Sequence, residues 1–238
     1  MSLQHIVIVG GSSGIGLETA RLLLDTGHKV TIAGRSKARL DVALGVTGGR
    51  ASAVQMDATD EAALPDCFAR LEPIDHMVLA LGSSKGVGPF GTIALSNVKA
   101  GFEEKVYAHI ACAQAALPFI STDGSLIFVS GLAAQTATPG TAGIAAANAA
   151  VAALVPVLAV ELAPIRVNGV SPGVVDTPWW EAVPDEHKQA LFAEYADKTP
   201  VGRIGLAQDV AQAIAFLISN RFMSGHMLTC DGGLRHTA

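Results

Sequence analysis

Charged residues are scarce in this sequence, and runs of basic residues are absent. Only 16% of the 238 residues are charged and 50% are hydrophobic, which excludes a disordered chain and predicts a globular domain with a large core. The formal net charge is −5 and no stretch concentrates lysine or arginine. We therefore expect no nucleic-acid partner.

Cysteine is also rare, and its spacing is uninformative. Cys67, Cys112 and Cys230 lie far apart without a Cys-x-x-Cys pair. This pattern argues against a disulfide framework and a zinc site, predicts no metal, and fits a reducing compartment. Residues 1–10 show neither a basic region nor a cleavage site, so no signal peptide is indicated and a cytoplasmic location is expected.

One long apolar stretch, residues 145–163, resembles a membrane span in composition. Asn148, Pro156 and Glu161 interrupt it, and it lies within an alternating series of strand and helix patterns. A buried helix, kinked or left with an unpaired carbonyl at Pro156, is the better interpretation, so no membrane contact is expected.

A glycine-rich turn stands between an apolar run and a helical pattern near the start of the chain. Gly10 permits a tight bend, and Gly14 and Gly16 let a ligand and a neighbouring strand approach the backbone. The following helix offers free N–H groups and a positive dipole end to a phosphate. In this context the spacing Gly-x3-Gly-x-Gly predicts a dinucleotide-binding turn, with an ordinary surface turn as the alternative.

The end of the second predicted strand lacks an acidic residue. No Asp or Glu occurs between Lys29 and Leu40, where related folds bind the ribose 2′-hydroxyl. Arg35 stands there, followed by Ser36, and a guanidinium suits a phosphate. The sequence therefore predicts NADP(H) rather than NAD(H), unless Arg35 is a solvated side chain at a helix start.

Apolar runs alternate with helical patterns along the whole chain. Further strands are predicted at residues 51–56, 75–82, 125–129, 165–170 and 226–229, and later helices at 102–120, 143–163 and 210–218. Such alternation predicts a single α/β domain over residues 1–238, a doubly wound parallel sheet (Rossmann fold) of about seven strands with helices on both faces. Ligands of such sheets bind beyond the carboxyl ends of the strands.

Two further segments are expected to flank the ligand. Asp57 either accepts a hydrogen bond from an adenine amino group or, with Thr59, caps a helix from Glu61 onward, and the two roles are compatible. Residues 83–90 form a loop rich in glycine and serine that suits a pocket wall.

Residues 178–200 are more polar and follow a strand end, which suits a lid over a substrate pocket. Trp179 and Trp180 either contact substrate or fix this lid to the body of the protein.

The chain resembles the short-chain dehydrogenase/reductase family over essentially its whole length. The motifs that carry the resemblance are residues 10–16, residues 166–173 (Arg-Val-Asn-Gly-Val-Ser-Pro-Gly), residues 200–205 (Pro-Val-Gly-Arg-Ile-Gly) and residues 231–233 (Asp-Gly-Gly). The resemblance implies an NADP(H)-dependent oxidoreductase of a small carbonyl or alcohol, assembled as a homodimer or homotetramer. The expected cofactor contacts are Gly10, Ser12, Ser13, Gly14, Ile15, Gly16, Arg35, Ser36, Asp57, Ala58, Leu81, Gly82, Asn148, Pro172, Gly173, Val175 and Thr177.

What the chain lacks is the reaction centre of that family. The family uses a Tyr-x-x-x-Lys pair for proton transfer and ribose binding, a serine that binds the substrate oxygen, and usually an asparagine on the preceding helix. Ile144 occupies the tyrosine position, Asn148 the lysine position and Gly131 the serine position. Lys105 falls near the asparagine position.

Two hypotheses follow from this loss. The first is an oxidoreductase with a non-standard or weakened mechanism, in which water, Ser130, Lys105, Tyr107 or His109 supplies the proton. Each of these side chains has a structural alternative, because helix-surface Lys and His are usually solvated and serines often satisfy backbone groups. The second is a catalytically inactive dinucleotide-binding sensor or regulator, or the inactive partner of an active relative.

Overall fold

The computed structural model describes residues 3–237, so Met1, Ser2 and Ala238 of the predicted 1–238 domain lie outside the described residues. The strands are β1 (His5–Val9), β2 (Lys29–Gly34), β3 (Ser52–Gln55), β4 (Ile74–Leu79), β5 (Ile120–Val129), β6 (Arg166–Pro172), β7 (Val175–Asp176), β8 (Gly205–Leu206) and β9 (Met227–Cys230). The helices are α1 (Gly14–Asp25), α2 (Lys37–Val46), α3 (Leu64–Ala69), α4 (Leu95–Phe102), α5 (Ala108–Ala116), α6 (Ala142–Glu161), α7 (Asp185–Lys198) and α8 (Ala207–Ser219). A π-helical turn over Glu103–Tyr107 joins α4 to α5.

Seven parallel strands form one sheet in the order β3-β2-β1-β4-β5-β6-β9, which confirms the predicted fold class. The strand order reverses at β1, which pairs with β2 on one side and with β4 on the other. A crevice at the carboxyl ends of β1 and β4 is therefore the topological switch point, where such sheets bind ligands. The short strands β7 and β8 pair separately.

Helices cover both faces of the sheet, as predicted. One apolar cluster packs α3, α5 and α6 against the sheet, with Phe68, Cys112 and Val151 among its members. The second cluster packs α1, α2 and α8 on the opposite face. Because both faces are covered, all five residues of β1 and all seven of β6 are buried, which explains the continuous apolar run Ile6–Val9 in β1.

Two elements begin at least five residues before their predicted starts. β5 begins at Ile120 rather than at Ser125, because Ile120 pairs with Ile74 before a register shift lets the regular pairing begin. The helical segment predicted over residues 102–120 begins earlier, at Leu95. Both differences lie away from the carboxyl ends of the strands, so they leave the predicted site in place.

The expected capping role of Asp57 is wrong. No helix begins at Glu61: α3 begins at Leu64, and Ala63 is its N-cap residue. Asp57 Oδ1 instead accepts hydrogen bonds from Thr59 N (3.0 Å) and from Thr59 Oγ1 (2.7 Å), which closes a local turn. Competition between such local hydrogen bonds and helix formation explains why the helix starts later.

Helix α6 is less buried than predicted, since only one face packs on the sheet. Its buried residues are Ala147, Asn148, Val151 and Val155, whereas Val157 and Val160 are 59% and 81% exposed. The helix continues through Pro156. Within residues 3–237, α6 is the helix that is long and apolar enough to cross a membrane, a test that sheet-covering helices also pass.

The predicted lid over residues 178–200 consists of a short 3₁₀ turn and α7, in which no side chain is buried. Trp180 Nε1 donates to Val175 O (3.0 Å), and its ring meets Phe192 edge to face with centroids 5.5 Å apart. Trp179 Nε1 donates to Ser83 O (3.0 Å). Trp179 therefore ties residues 178–200 to the loop over residues 83–90. Trp180 bonds to β7 and packs against Phe192 of the same segment.

Candidate active site

The glycine turn is built so closely that no side chain fits at two of its positions. Gly10 has a φ of +83°, and a Cβ atom there would lie 2.4 Å from Ala80 O at the end of β4. A Cβ atom on Gly16 would lie 2.2 Å from Gly10 O. Glycine is therefore required at both positions, by the left-handed backbone in one case and by a close backbone approach in both.

The turn also meets a segment more than 160 residues further along the chain. A Cβ atom on Gly14, whose φ is +51°, would lie 3.3 Å from Thr177 Cβ. Ser13 is the N-cap residue of α1, but its side chain makes no capping hydrogen bond. The N–H groups of the first turn of α1 therefore have no side-chain cap and are available to an anion.

Arg35 lies beside the glycine turn, as predicted. A Cβ atom on Gly34, the preceding residue, would lie 3.2 Å from Ser12 Oγ, which places the two loops in contact. Arg35 is exposed, and within residues 3–237 it forms no salt bridge. Ser36 is the N-cap of α2, and its hydroxyl accepts a hydrogen bond from Arg39 N (3.3 Å).

Asp57 and Ala58 follow β3 next to these loops. The hydrogen bond from the Thr59 backbone is the main cause that lowers the pKa of Asp57, and the Thr59 hydroxyl and the positive charge of Arg35 lower it further. Asp57 is thus an exposed carboxylate within the electrostatic reach of Arg35, while Ala58 is buried.

The ends of β4 and β6 carry the other expected contacts. Gly82 lies near the lid, since a Cβ atom there would be 3.9 Å from Trp179 Cδ1. Gly173 N donates to Cys230 O (3.0 Å), and its Cα lies close to Asp231. Val175 belongs to the β7–β8 pair that precedes Thr177. Gly82, Gly173 and Thr177 thus follow the carboxyl ends of β4, β6 and β7, and the glycine turn follows the carboxyl end of β1.

Two of the positions predicted to lack the reactive side chains of the family, Gly131 and Asn148, contact each other. A Cβ atom on Gly131 would lie 2.9 Å from Asn148 Nδ2 and 3.0 Å from Asn148 Oδ1. The Asn148 amide therefore occupies the space that a serine side chain would need. Asn148 is 4% exposed, and its Oδ1 atom has no hydrogen-bond partner within the described residues. A buried acceptor without a partner is costly, and it fits a ligand that donates a hydrogen bond.

Ser130 directs its hydroxyl away from the crevice. Ser130 Oγ donates to Asn148 O (2.8 Å), a carbonyl of α6. Ile144 at the start of α6 donates its backbone N–H to Gly86 O (3.1 Å), which fixes the loop over residues 83–90 against that helix. Its side chain carries no proton to transfer.

Lys105 is the charged residue of this region. It is 5% exposed, and its Nζ donates to Leu81 O (3.3 Å), Val129 O (3.3 Å) and Ser130 O (3.2 Å). Desolvation lowers the pKa of Lys105 to about 8. It lies in the π-helical turn, a distortion that often occurs at functional sites.

The other two candidates lie elsewhere. His109 is fully buried, with Nδ1 donating to Lys105 O (2.6 Å) and Nε2 lying 3.1 Å from Leu79 O. Desolvation, with a smaller contribution from the charge of Lys105, lowers the pKa of His109 to about 3. Tyr107 is 49% exposed and lines a depression of about 390 Å³ beside Pro65 on the outer face, away from the crevice.

A parallel sheet with a glycine cradle at its switch point defines the class of nicotinamide-dinucleotide-binding Rossmann proteins. A family model described as Enoyl-(Acyl carrier protein) reductase matches residues 9–235. The chain belongs to the short-chain dehydrogenase/reductase family.

The relatives support this assignment over nearly the full length. The cis-4-hydroxycyclohexanecarboxylate dehydrogenase of Sinomonas cyclohexanicum is 34% identical, with 95% of this chain and 94% of the relative covered. A small-chain dehydrogenase solved in complex with NADPH is 28% identical, with a TM-score of 0.85 and coverage of 99% and 100%. A short chain oxidoreductase of Pseudomonas aeruginosa PAO1, described as containing an atypical catalytic center, is 29% identical, with a TM-score of 0.86 and coverage of 97% of each chain.

Some contacts of the site were not anticipated from the sequence. Ser83 Oγ donates to Glu104 Oε2 (2.7 Å), and Asn97 Oδ1 accepts from Gly86 N (2.7 Å). These bonds tie the loop over residues 83–90 to the helical segment that carries Lys105. Neither pair follows a periodic or spaced pattern, so only the fold could bring them together.

Proposed function

We propose that the protein binds NADP(H) and transfers hydride to or from a small carbonyl or alcohol substrate by a non-standard, weakened mechanism. The observation that carries the proposal is the glycine cradle, in which Gly10 and Gly16 admit no Cβ atom and Gly14 meets Thr177. A pocket built from backbone in this way serves a phosphate group, and Arg35 beside it is free to bind a second one.

The residues present fit a dinucleotide. When bound, NADP(H) supplies or accepts the hydride. The first turn of α1, with Ser12 and Ser13, would hold the pyrophosphate, while Arg35 would hold the 2′-phosphate. The unpartnered Asn148 Oδ1 would accept a hydrogen bond from the other half of the dinucleotide.

Proton transfer is the weak part of the site. Ile144 has no acidic proton, and the Ser130 hydroxyl is engaged with Asn148 O. Water entering the crevice, or Lys105 beneath it, would then supply the proton. Loss of a positioned general acid costs on the order of a hundred- to ten-thousand-fold in rate, so slow turnover is expected.

A substrate panel tests the proposal. NADPH oxidation is measured with ketones, enones, quinones and 4-oxocyclohexanecarboxylate, and NADP⁺ reduction with the corresponding alcohols. Slow but enzyme-dependent turnover of at least one substrate is expected. Absence of turnover above the buffer rate across the panel contradicts the oxidoreductase part of the proposal.

The choice of cofactor is tested separately by calorimetry with NADPH and NADH. Arg35→Ala should weaken NADPH binding about ten- to a hundred-fold and leave NADH binding nearly unchanged, because charge-assisted hydrogen bonds to the 2′-phosphate are lost. Lys37→Ala is the matched control, since Lys37 already pairs with Asp41 at 2.9 Å. Equal losses for both cofactors would contradict a role in phosphate binding.

A second candidate function is a dinucleotide-binding sensor or an inactive partner of an active relative. The packing of Asn148 against Gly131 favours it, because this pair fills the reaction centre with groups that do not transfer protons. Tight NADPH binding without turnover would support this function. Failure of both NADPH and NADH to bind would contradict both candidates.

We also propose a homodimer or homotetramer, because α6 exposes Val157 and Val160. Light scattering at micromolar concentration should report a multiple of the chain mass, and a monomer would contradict this. The free cysteines, of which Cys112 is buried with its pKa raised to about 12 mainly by desolvation, fit a reducing compartment such as the cytoplasm.

A further inference from the structure

We propose that Lys105 is a specificity-determining residue, whose buried ammonium makes the site favour the reduced dinucleotide NADPH over the oxidised NADP⁺. The inference rests on the proposed function, because it requires that a dinucleotide binds in the crevice. It goes further in assigning a redox preference to one side chain of this chain.

The position of Lys105 in the fold places its charge under one half of the crevice. Its Nζ donates to Leu81 O, after the end of β4, and to Val129 O and Ser130 O at the end of β5. The adenosine half of a dinucleotide lies over β1, β2 and β3 in such sheets, where the glycine turn and Arg35 are found. The nicotinamide half therefore lies on the side of β4 and β5, above Lys105.

The charge of Lys105 has no carboxylate partner to neutralise it. Its three donors go to backbone carbonyls, and no salt bridge of Lys105 is found within residues 3–237. The oxidised nicotinamide ring carries a positive charge and the reduced ring carries none. A buried, uncompensated cation near the ring therefore repels the oxidised form alone.

The neighbouring side chains leave Lys105 as the group whose charge changes between pH 6.5 and 9.5 in this region. α5 presents His109, which is buried and neutral because desolvation holds its pKa near 3. The segments at the ends of β4 and β5 face Lys105 with the carbonyl oxygens of Leu81 and Val129. The one acidic residue of α6, Glu161, is the last residue of that helix and lies more than three turns from Asn148. On the same helical segment, Glu104 accepts from Ser83 Oγ, while Lys99 of α4 is exposed.

The protonation of Lys105 changes within an accessible range. Desolvation lowers its pKa to about 8, so the ammonium is present at pH 7 and is largely lost at pH 9.5. The redox preference should therefore be strong at neutral pH and should decline above pH 8.

In the alignment with the family pattern, the lysine and the asparagine of the site stand at each other's positions. The family places lysine at position 148 and asparagine near position 105, whereas this chain has Asn148 and Lys105. Both residues contact Ser130: Lys105 Nζ donates to Ser130 O, and the backbone carbonyl of Asn148 accepts from Ser130 Oγ at 2.8 Å. The chain thus has a buried ammonium at Lys105, hydrogen-bonded to the Ser130 carbonyl, and no charge at position 148.

The test is the ratio of dissociation constants for NADP⁺ and NADPH, measured by calorimetry from pH 6.5 to 9.5. At pH 7 the ratio of the dissociation constant for NADP⁺ to that for NADPH should be about tenfold larger in the wild type than in Lys105→Met. This factor is the size expected for two unit charges roughly 10 Å apart at an effective dielectric constant of about 20. The wild-type ratio should fall between pH 7 and 9.5. Lys105→Arg should keep its ratio over this range, because arginine stays protonated.

Lys99→Met is the matched control, because it removes an exposed lysine from the same helical segment, and its ratio should follow the wild type. If Lys105→Met does not fold, the pH dependence of the wild-type ratio decides alone. An unchanged ratio from pH 6.5 to 9.5, or equal ratios in wild type and Lys105→Met, overturns the inference while leaving the proposed function intact. If neither dinucleotide binds the wild type, both are wrong.

Discussion

The two halves of the crevice differ in what they are built from. The half at the ends of β1, β2 and β3 is built from backbone, with Gly10 and Gly16 packed against main-chain atoms. The half at the ends of β4, β5 and β6 depends on side chains. It contains Gly131, Ile144 and Asn148, which the sequence predicts to stand in place of the reactive groups of the family.

The difference shows which part of a site the fold itself protects. Replacing Gly10 or Gly16 pushes a Cβ atom into the sheet edge, so the cradle cannot change without damage to the fold. Reactive side chains carry no such constraint, since an asparagine amide and a glycine pack together in their place. A family fold is therefore weaker evidence for the chemistry than for the cofactor.

The largest effect is expected at the backbone-built half. Gly16→Ala places a Cβ atom 2.2 Å from Gly10 O and should cost about 3 kcal/mol or more in the free energy of unfolding, with loss of dinucleotide binding. Gly45→Ala, in α2 with no atom within 4 Å of the added methyl group, should be neutral or stabilising by up to about 1 kcal/mol. Urea unfolding measures both. Similar stability of the two variants would mean that the cradle is not sterically fixed.

Acid should destabilise the fold through two buried histidines, His76 in β4 and His109 in α5. Desolvation lowers the pKa of His76 to about 4 and of His109 to about 3, with smaller contributions from the charges of Arg166 and Lys105 respectively. Both histidines bind protons more readily in the unfolded chain than in the folded protein. These two groups should therefore leave the free energy of unfolding constant above pH 6.5. Below that pH it should fall by up to about 1.4 kcal/mol per pH unit for each histidine.

Thermal unfolding between pH 7 and pH 4.5 measures this dependence on pH. His109→Gln should make it less steep, while His187→Gln, on the exposed face of α7, should leave it as in the wild type. A wild-type slope in His109→Gln would show that the buried imidazole does not contribute.

The side-chain-built half should reveal the interdependence of two positions. Gly131→Ser must displace the Asn148 amide, which lies 2.9 Å from the added Cβ atom, and should cost about 1–3 kcal/mol. In an Asn148→Ala background the same change should cost less than about 1 kcal/mol, because the obstructing amide is gone. Chemical denaturation of all four proteins gives the coupling energy. Additive effects would contradict direct packing between the two residues.

The smallest effect is expected at the lid. Trp179→Phe removes the hydrogen bond to Ser83 O (3.0 Å) and should cost about 1 kcal/mol, with faster hydrogen exchange confined to the loop over residues 83–90. Trp180→Phe is the matched control, because it loses a bond to Val175 O instead and should leave that loop unchanged. Faster hydrogen exchange of this loop in both variants would mean that the Trp180 contact also holds the loop in place.

The sequence alone determined the features that depend on local pattern. Alternating apolar runs and helical patterns predicted the doubly wound sheet, and the glycine spacing predicted the cradle, because period and backbone freedom are properties of short segments. Comparison with the family pattern predicted that Gly131, Ile144 and Asn148 replace the reactive residues.

Only the tertiary structure decided what the remaining side chains do. In the structure the Ser130 hydroxyl donates to Asn148 O, and Tyr107 lies on the outer face. Asp57 accepts hydrogen bonds in a local turn and does not cap a helix. It also buried Lys105 among three carbonyls at the carboxyl ends of β4 and β5. These contacts depend on which distant segments pack together and on how strongly water is excluded between them. The spacing of residues along the chain predicts neither.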